Sequence, residues 1–311
     1  MKVICLAAGN SLLEETRPVP APGAGEILIQ VYAAGVTPTE LIWYPTTRTK
    51  GGDPRTAAVP CHEFSGVVAA LGDSAGGFQI GDKVFGMNDW FAEGALAEYC
   101  VTVPSSVALL PDHLSHVEAA SVPIGALTAW QGLFDRSKLA AGERVLVHGG
   151  AGAVGHYAVQ LAHLHGARVI ATASSADQDF VSSLGAEQVI DYRGIPFEQL
   201  VHDVDVVFDT VGGEILSRSW PVLAPGGRMV TVGAGSENQE EERIKKAFFI
   251  VEPDQQQLVE VGKLLDAGTI RTFVAAVVPL SQSPDAFAGK LVRRGRGKIV
   301  VEVLPESTPP K

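Results

Sequence analysis

Between residues 143 and 268 the chain alternates short apolar runs with amphipathic segments, and this alternation constrains the fold more than any other feature. The apolar runs lie at 143–149, 167–174, 188–191, 203–212 and 226–233. Helical patterns lie at 153–165, 177–184 and 253–268. Strands that are apolar throughout and alternate with helices form a parallel sheet with both faces covered. The pattern therefore predicts an α/β domain with a doubly wound parallel sheet.

A glycine-rich loop joins the first of these strands to the first helix, in the stretch VLVHGGAGAVGHYAV at 145–159. The spacing Gly150-x-Gly152-x-x-Gly155 is weak evidence alone, because glycines in this order also form ordinary turns. Here the loop follows a strand and opens a helix within a βαβ unit. In that setting the first glycine allows the tight turn, the second lets the backbone approach a pyrophosphate, and the third lets helix and strand pack closely. Because the helix N-terminus attracts phosphate, the loop predicts a dinucleotide site.

The end of the second strand bears on the choice between NAD and NADP. NAD-binding chains place Asp or Glu about 20 residues after the glycine loop, where it holds the ribose hydroxyls. This chain has Ser174 and Ser175 there, and hydroxyl donors without a carboxylate favour NADPH. Asp177 and Asp179 lie close by, so the positive charge for a 2′-phosphate would come from elsewhere: Arg193, Arg296 or Lys298.

The first 115 residues have a different sequence pattern, with short β-rich runs separated by glycine and proline. The runs cover 25–36, 63–72, 81–87 and 95–104. This spacing predicts a small, mostly β domain with tight turns. Because β character returns at 273–280 and 297–303, we expect residues 273–311 to pack back onto residues 1–115, with 116–272 forming the α/β domain.

Charge and cysteine content exclude several classes of protein. The net charge of −11, from 24 Lys and Arg against 35 Asp and Glu, argues against a broad surface for nucleic acid or an anionic membrane. No apolar run is long enough to span a bilayer, and the start MKVICLAAGN lacks a secretory signal. Cys5, Cys61 and Cys100 have no CxxC spacing, which is typical of a reducing compartment. We therefore expect a cytoplasmic protein that acts on a small molecule.

The whole chain resembles the zinc-independent medium-chain dehydrogenase/reductases of the quinone oxidoreductase-like branch. Matching stretches occur in family order along almost all 311 residues; they include GEILIQVYAAGVTP, HEFSGVVAALG, AASVPIGALTAWQGLF, VLVHGGAGAVG, LGAEQVIDYR and GKIVV. The resemblance implies a GroES-like domain followed by a Rossmann domain, with NADPH in the cleft between them. It also implies a homodimer, paired through the edge of the Rossmann sheet near GRMVTVG and KAFFIV.

The same resemblance implies which residues line NADPH. Besides the glycines of the loop, positions that line the cofactor in relatives are occupied here by Thr128, Ala153, Val154, Ser174, Tyr192, Thr210, Gly233 and Lys298. The predicted cofactor site also includes Ser175, Arg193 and Ala234, which adjoin these positions. Tyr192 lies near the adenosine phosphate in relatives, which favours NADP over NAD.

Zinc alcohol dehydrogenases, also in the wider family, carry a cysteine soon after the AAG turn, a Gly-His-Glu ligand motif and a four-cysteine lobe. This chain has Val36-Thr37-Pro38 where the first cysteine would stand, and FGMNDWFAEGALAEY where the lobe would be inserted. Cys61-His62-Glu63 keeps only the His-Glu pair, whereas a catalytic zinc needs about three protein ligands. We therefore predict no metal, and a structural or cleft-lining role for His62.

Without a Lewis acid, the hydride acceptor must itself delocalise the arriving negative charge. Quinones and α,β-unsaturated ketones do so onto their oxygen, so the protein need only position them and offer a hydrogen-bond donor. We therefore predict hydride transfer from NADPH to a quinone or an enone, followed by protonation. The candidate donors are Thr37, toward the cofactor ribose or the substrate oxygen, and Tyr44, as an orienting donor or proton source.

Other interpretations stay open at this point. A redox sensor or a structural protein that binds NADPH without turnover would carry the same glycine loop. A zinc-dependent alcohol dehydrogenase is disfavoured by the missing cysteines. Among enzymes, one-electron reduction of quinones is the alternative, and it is distinguished by semiquinone production.

Overall fold

The computed structural model describes residues 1–7, 11–236, 241–291 and 296–306. Its strands are β1 (Lys2–Leu6), β2 (Leu12–Thr16), β3 (Ile27–Gly35), β4 (Glu63–Leu71), β5 (Lys83–Met87), β6 (Tyr99–Thr102), β7 (Val107–Leu109), β8 (Arg144–His148), β9 (Arg168–Ala173), β10 (Gln188–Asp191), β11 (Val204–Asp209), β12 (Leu223–Thr231), β13 (Val274–Pro279) and β14 (Lys298–Glu302). Its α-helices are α1 (Tyr44–Thr47), α2 (His116–Ala119), α3 (Pro123–Trp130), α4 (Gly155–Leu164), α5 (Gln178–Ser183), α6 (Glu214–Ser219), α7 (Glu242–Ala247), α8 (Gln255–Asp266) and α9 (Ser283–Phe287). Within these described ranges, no helix has both the length and the apolar character needed to cross a bilayer.

Two compact units divide the chain. Unit 1 comprises residues 1–124 and 252–311, and unit 2 comprises residues 125–251. Compared with the domain limits predicted above, residues 116–124 and 252–272 lie in unit 1. Helix α8 belongs to unit 1 because it packs against residues of that unit. A Cβ at Gly262 would lie 3.7 Å from Pro111 and 3.8 Å from the ring of Phe85. Asp266, at the end of α8, also accepts a hydrogen bond from His113 at 2.9 Å.

Unit 1 is built on a seven-stranded sheet in the order β13-β14-β3-β4-β5-β7, with β6 also paired to β3. The nine-residue strands β3 and β4 run antiparallel at its centre. β14 pairs antiparallel with β3 and parallel with β13, so a strand from the end of the chain lies beside one from its beginning. This pairing brings Lys298, the first residue of β14, next to the end of β3.

Unit 2 contains a five-stranded parallel sheet in the order β10-β9-β8-β11-β12. The central residues of β8, Val145, Leu146 and Val147, are completely buried, as the apolar run predicts. The chain proceeds from β8 outward to β10 and then crosses back to β11, on the other side of β8. Ligands of such sheets bind at the carboxyl ends of the strands where the direction of winding switches. In unit 2 that place is the loop after β8.

Candidate functional site

The loop after β8 makes its tight turn at Gly149, one residue earlier than the sequence pattern predicts. Gly149 has a φ of +78°, a conformation that favours glycine. Its amide donates to Oγ1 of Thr172 at 3.2 Å, and the amide of Gly150 donates to the carbonyl of Thr172 at 2.9 Å. The loop is therefore tied to β9, and its operative spacing is Gly149-x-x-Gly152-x-x-Gly155.

The remaining glycines of the loop differ in what a side chain would meet. A Cβ at Gly150 would lie 3.0 Å from Cβ of Ala171, so Gly150 packs against β9. A Cβ at Gly155 would lie 2.0 Å from the carbonyl oxygen of Gly149, so the helix packs tightly against the end of the strand. Gly152 is exposed, and the nearest atom to a Cβ there is the same carbonyl oxygen at 3.2 Å. Gly152 thus lets a ligand approach the backbone.

Backbone donors follow Gly152 at the start of α4. Within the described residues, the amides of Ala153 and Val154 have no backbone or side-chain acceptor. The ten-residue helix α4 begins immediately afterwards, at Gly155. Unpaired amides at the positive end of a helix attract phosphate. These residues therefore fit the pyrophosphate of a dinucleotide.

Helix α3 lies against the glycine loop on the side of Ala153. A Cβ at Gly125 would lie 2.4 Å from the carbonyl oxygen of Ala153 and 3.0 Å from the ring of Tyr157, so this approach requires glycine. Thr128, one turn further along α3, is buried. Sequence reasoning included Thr128 but missed Gly125, for which no local pattern gives a signal.

The loop after β11 is fixed by the buried carboxylate of Asp209. Asp209 accepts hydrogen bonds from the amide of Gly212 at 3.0 Å and from Oγ1 of Thr231 at 2.7 Å. The hydroxyl of Thr210 donates to the carbonyl of His148 at 2.7 Å, which joins this loop to the end of β8. Burial raises the pKa of Asp209, while these hydrogen bonds oppose the increase. Sequence reasoning missed Asp209, although an acid at the end of the apolar run DVDVVFD is a usable signal.

The loop after β12 contacts the loops after β8 and β11 at the carboxyl ends of the strands. A Cβ at Gly233 would lie 2.4 Å from Cα of Gly212, and a Cβ at Gly149 would lie 2.6 Å from Oγ1 of Thr210. Ala234, the next residue of this loop, is exposed. The structure therefore brings the predicted residues Thr210 and Gly233 together with the glycine loop.

Ser174 and Tyr192 follow the adjacent strands β9 and β10. The amide of Tyr192 donates to the carbonyl of the last residue of β9 at 3.2 Å. The guanidinium of Arg193 lies 5.3 Å from the centroid of the Tyr192 ring, and both side chains are exposed, as is Ser175. The hydroxyl of Ser174, one of the two donors predicted for a 2′-phosphate, donates here to a carboxylate oxygen of Asp177 at 2.6 Å. This end of the sheet therefore carries both a negative and a positive charge.

Two buried histidines beside the glycine loop have structural roles. His148, the last residue of β8, contacts the hydroxyls of Thr172 at 3.3 Å and Ser219 at 3.0 Å, and burial lowers its pKa to about 3. Nδ1 of His156 lies 2.8 Å from the carbonyl oxygen of Gly152, and burial lowers the pKa of His156 to about 4. Both rings are therefore neutral at pH 7, and Nδ1 of His156 donates to the glycine loop.

In unit 1 the ammonium group of Lys298 is buried between Glu63 and Thr37. Only 5% of the Lys298 side chain is exposed, and Glu63 is completely buried. The ammonium donates to Oε1 of Glu63 and, at 3.4 Å, to Oγ1 of Thr37. The other oxygen of Glu63 accepts from the amide of Ile124 at 2.9 Å. Because Lys298 is engaged inside unit 1, its geometry gives no support to the predicted role as counter-ion of a 2′-phosphate.

The protonation of Lys298 depends on opposing effects. Burial lowers its pKa to about 8, although the charge of Glu40 acts in the opposite direction. The side chain is therefore still an ammonium at pH 7. It also releases a proton more readily than an exposed lysine, whose pKa is about 10.4.

A second buried acid–base pair, Glu40 and His62, lies in the same part of unit 1. Oε1 of Glu40 contacts Nδ1 of His62, and Nε2 of the ring lies 3.2 Å from the carbonyl oxygen of Ala92. Burial alone would lower the pKa of His62, but the charge and hydrogen bond of Glu40 outweigh it and raise the pKa. The other oxygen of Glu40 has no hydrogen-bond partner among the described residues, although Glu40 is completely buried. Sequence reasoning missed Glu40, since an acid in a loop gives no sign of burial.

These side chains do not fit a catalytic zinc. Both ring nitrogens of His62 and both carboxylate oxygens of Glu63 have protein partners. Burial also raises the pKa of the Cys61 thiol well above its ordinary value, and the ammonium of Lys298 would repel a cation. In the part of the chain that the structure describes, no group of three or more His, Cys, Asp or Glu is arranged to hold a metal ion.

Tyr44 lies apart from this polar cluster. It begins α1 with 53% of its surface exposed, and its ring packs edge-on against Phe91 with centroids 6.3 Å apart. A Cβ at Gly52 would lie 3.5 Å from its hydroxyl. The described contacts join Thr37 to Lys298 but join Tyr44 to neither of them.

Two family models match the chain. Residues 23–112 match the alcohol dehydrogenase GroES-like domain, and residues 184–301 match a model described as zinc-binding dehydrogenase. The first model lies within unit 1, and the second begins in unit 2 and extends into the last strand of unit 1. The expected fold class, a GroES-like domain with a Rossmann domain, is thereby confirmed.

Known proteins resemble the chain over nearly its full length. A protein of Arthroderma benhamiae named "probable zinc-binding oxidoreductase, mitochondrial" is 34% identical over 95% of this chain and 94% of its own. The chloroplastic NADPH-dependent alkenal/one oxidoreductase of Arabidopsis thaliana is 31% identical over 94% of this chain and 76% of its own. The solved structure of the quinone oxidoreductase from Coxiella burnetii has a TM-score of 0.88 and 30% identity, covering 98% of this chain and 99% of its own. The chain is therefore an oxidoreductase of the medium-chain dehydrogenase/reductase family, in its quinone oxidoreductase-like branch, and binds a nicotinamide cofactor.

Proposed function

We propose that this protein reduces quinones or α,β-unsaturated carbonyl compounds with NADPH as the hydride donor and without zinc. The observation that carries the proposal is the buried ammonium of Lys298, held by Glu63 and Thr37. The resemblance places the stretch Val36-Thr37-Pro38 where zinc alcohol dehydrogenases have their first cysteine ligand. A site with an ammonium and a hydroxyl in place of a metal suits acceptors that delocalise negative charge themselves.

The residues of unit 2 would hold the cofactor, which supplies a hydride when bound. The amides of Ala153 and Val154 hold the pyrophosphate, and Gly152 admits it to the backbone. Thr128, Thr210, Gly233 and Ala234 complete the lining in this proposal. The close packing of Gly149 against Thr210 and of Gly212 against Gly233 holds these loops together, so they would offer the dinucleotide one continuous surface.

The preference for NADPH rests on Arg193 and Tyr192. Arg193 is exposed beside Tyr192 and next to the residues that follow β9, so its guanidinium can pair with a 2′-phosphate. The carboxylate of Asp177 opposes this preference, because Ser174 holds it at the same end of the sheet. The NADPH-dependent relative from Arabidopsis supports the same choice.

Thr37 is the proposed hydrogen-bond donor to the substrate oxygen. Its side chain is half-buried and its hydroxyl oxygen already accepts from Lys298, so its own proton is free to point elsewhere. Tyr44 remains a proposed orienting donor. Its exposed ring beside Phe91 suits contact with a flat substrate better than proton delivery.

The proposal is tested by following NADPH oxidation over a panel of quinones, enones, enals and alcohols, with NADH as the cofactor control. We expect turnover with quinones or enones, faster with NADPH, and none with simple alcohols in the reverse direction. Tight NADPH binding without turnover on any acceptor would favour a sensor or structural protein instead. Semiquinone detection distinguishes one-electron from two-electron reduction. One zinc per chain in the purified protein would overturn the metal-free site.

We also propose a cytoplasmic homodimer. The three cysteines are free and buried, as in proteins of a reducing compartment. β12 is the edge strand of the sheet in unit 2, and Phe248 forms a parallel bridge with Thr231 at its end. Apart from this bridge, no strand of the described residues pairs with the outer side of β12, and such an edge favours pairing with a second copy. Light scattering of the purified protein tests the oligomeric state.

A further inference from the structure

The polar cluster of unit 1 holds four titratable side chains away from solvent. Two acids, Glu40 and Glu63, are completely buried there, together with Lys298 and His62. Burying such charges has a large desolvation cost unless each one is paired. Every side-chain polar atom of Glu63 and His62 has a partner, whereas the three protons of the Lys298 ammonium have two acceptors within the described residues, one of them Thr37 at 3.4 Å.

The cluster forms a path from the interior toward solvent. Lys298 is almost fully buried, whereas Thr37 is half-buried and follows the last residues of β3. The two side chains are joined by a hydrogen bond of 3.4 Å in which the ammonium donates and the hydroxyl accepts. A hydroxyl that accepts on one side can donate on the other, so Thr37 can pass a proton outward while Lys298 replaces it.

We propose that Lys298 supplies the proton for the reduction and delivers it through the hydroxyl group of Thr37. This inference rests on the proposed function and assigns the proton source that it leaves open. Thr37 is the catalytic residue, because it touches the substrate. Lys298 acts through Thr37 and is a positioning residue.

The step balances as follows for an enone. The bound cofactor would supply, from one of its C–H bonds, the hydride that forms a C–H bond at the β-carbon. The π pair of the substrate C=C bond then forms the C=C bond of the enolate, and the π pair of the C=O bond moves onto the oxygen. The O–H bond of Thr37 breaks and its proton passes to the enolate, while an N–H bond of Lys298 breaks to restore the hydroxyl. The lysine is left as a neutral amine and regains its proton from water. For a quinone, the proton passes to the oxygen of the hydroquinone anion.

The neighbouring acids keep this source charged between turnovers. Oε1 of Glu63 accepts a hydrogen bond from the ammonium, and the charge of Glu40 raises the pKa of Lys298. This charge opposes burial, which lowers the pKa. When the proton leaves, the amide of Ile124 continues to hold Glu63.

The rival role for Lys298 is to anchor a phosphate of the cofactor. An anchor needs positive charge, whereas a proton source needs a proton that it can release. Arginine keeps the charge but does not release its proton at neutral pH. The variant Lys298→Arg therefore separates the two roles.

The test uses two matched pairs of variants in the full-length protein, Thr37→Ser with Thr37→Val, and Lys298→Arg with Lys298→Met. The dissociation constant for NADPH is measured by fluorescence without substrate, and kcat is measured from pH 6 to pH 10 on the best acceptor. Circular dichroism checks the fold of each variant. Because Lys298→Met leaves Glu63 buried without its partner, the double variant Lys298→Met with Glu63→Gln is included.

We expect Thr37→Val and Lys298→Arg to lower kcat by about 100-fold, the usual range for loss of a proton donor. Thr37→Ser should retain activity, and the dissociation constant for NADPH should change less than threefold in every variant. The fall in wild-type kcat at alkaline pH, as Lys298 deprotonates, should disappear in Thr37→Val.

Two results would overturn the inference. If Thr37→Val retains the wild-type kcat and pH profile, Thr37 does not carry the proton. If Lys298→Arg retains kcat while Lys298→Met weakens NADPH binding tenfold or more, Lys298 is an anchor. Either result leaves the proposed function intact, since that function fails only if the wild-type protein reduces no quinone or enone.

Discussion

Gly155 lies directly against Gly149: a Cβ atom at residue 155 would come within 2.0 Å of the Gly149 carbonyl oxygen. This oxygen belongs to the backbone and has no room to move. We therefore expect Gly155→Ala to lower the free energy of unfolding by at least about 2 kcal/mol, measured by urea denaturation. The control is Gly194→Ala, where the nearest atom is at 3.4 Å and the change should stay below about 0.5 kcal/mol.

The variant Gly152→Ala should weaken ligand binding with little effect on stability. A Cβ there meets only the Gly149 carbonyl oxygen at 3.2 Å, and it would otherwise occupy the space that admits the pyrophosphate. We expect Gly152→Ala to leave the melting temperature within a few degrees of the wild type and to weaken NADPH binding at least tenfold, by about 1.4 kcal/mol. Calorimetric titration measures the affinity. Unchanged affinity would mean that the pyrophosphate does not lie over this residue.

The cofactor preference should depend on Arg193. Arg193→Ala removes the positive charge beside Tyr192, so we expect the KM for NADPH to rise about tenfold with little change for NADH. Asp177→Asn should act in the opposite direction and improve NADPH use, because it removes the acid held by Ser174. Arg168→Ala is the matched control, since Arg168 is the first residue of β9 and lies at the amino ends of the strands, away from Arg193. A parallel rise in the KM for both cofactors would argue against 2′-phosphate recognition.

Stability should fall in mild acid because of His148 and His156. Burial lowers their pKa values to about 3 and about 4, so between these values and about 6.5 the unfolded chain binds more protons than the folded one. The free energy of unfolding should therefore decrease as the pH falls from about 6.5 toward 4, by at most about 1.4 kcal/mol per pH unit for each histidine. The raised pKa of His62 acts in another window, because its contribution is lost only as the pH rises above about 6.5.

Urea titrations from pH 7 to pH 4 measure this dependence. The variants His148→Gln and His156→Gln should each flatten the slope, although both start from a lower stability because they lose buried contacts. If neither variant changes the slope, other groups cause the acid sensitivity.

Sequence periodicity predicts the sheet of unit 2 well because its three inner strands, β8, β9 and β11, are buried along most of their length. The run QVID became β10 with the same limits, Gln188–Asp191. In β8 and β11 the buried polar residues His148 and Asp209 are the last of each strand, so the apolar pattern before them is easy to recognise. A short helical pattern around 284–294 also predicts a helix, but α9 ends earlier, at Phe287, and residues 292–295 lie outside the described part.

Long-range pairing explains what the sequence does not reveal. Lys298 is recognisable as a residue near the end of the chain, but its contact with Glu63 spans 235 positions and depends on β14 pairing with β3. Similarly, Gly125 is needed only because α3 meets the carbonyl of Ala153, which no local pattern encodes. The turn at Gly149 is the intermediate case, because a Gly-Gly pair shows that a turn occurs but not which residue makes it.

The insertion of unit 2 between the two segments of unit 1 sets an order of events during synthesis. Residues 125–251 leave the ribosome as a continuous segment and can fold before unit 1 is complete, because domains generally fold as units. The central sheet of unit 1 must wait, because β3 has no β14 beside it until the end of the chain emerges. During that interval Glu63 lacks the lysine that neutralises it, so nascent chains stalled before residue 298 present an incomplete sheet edge to chaperones.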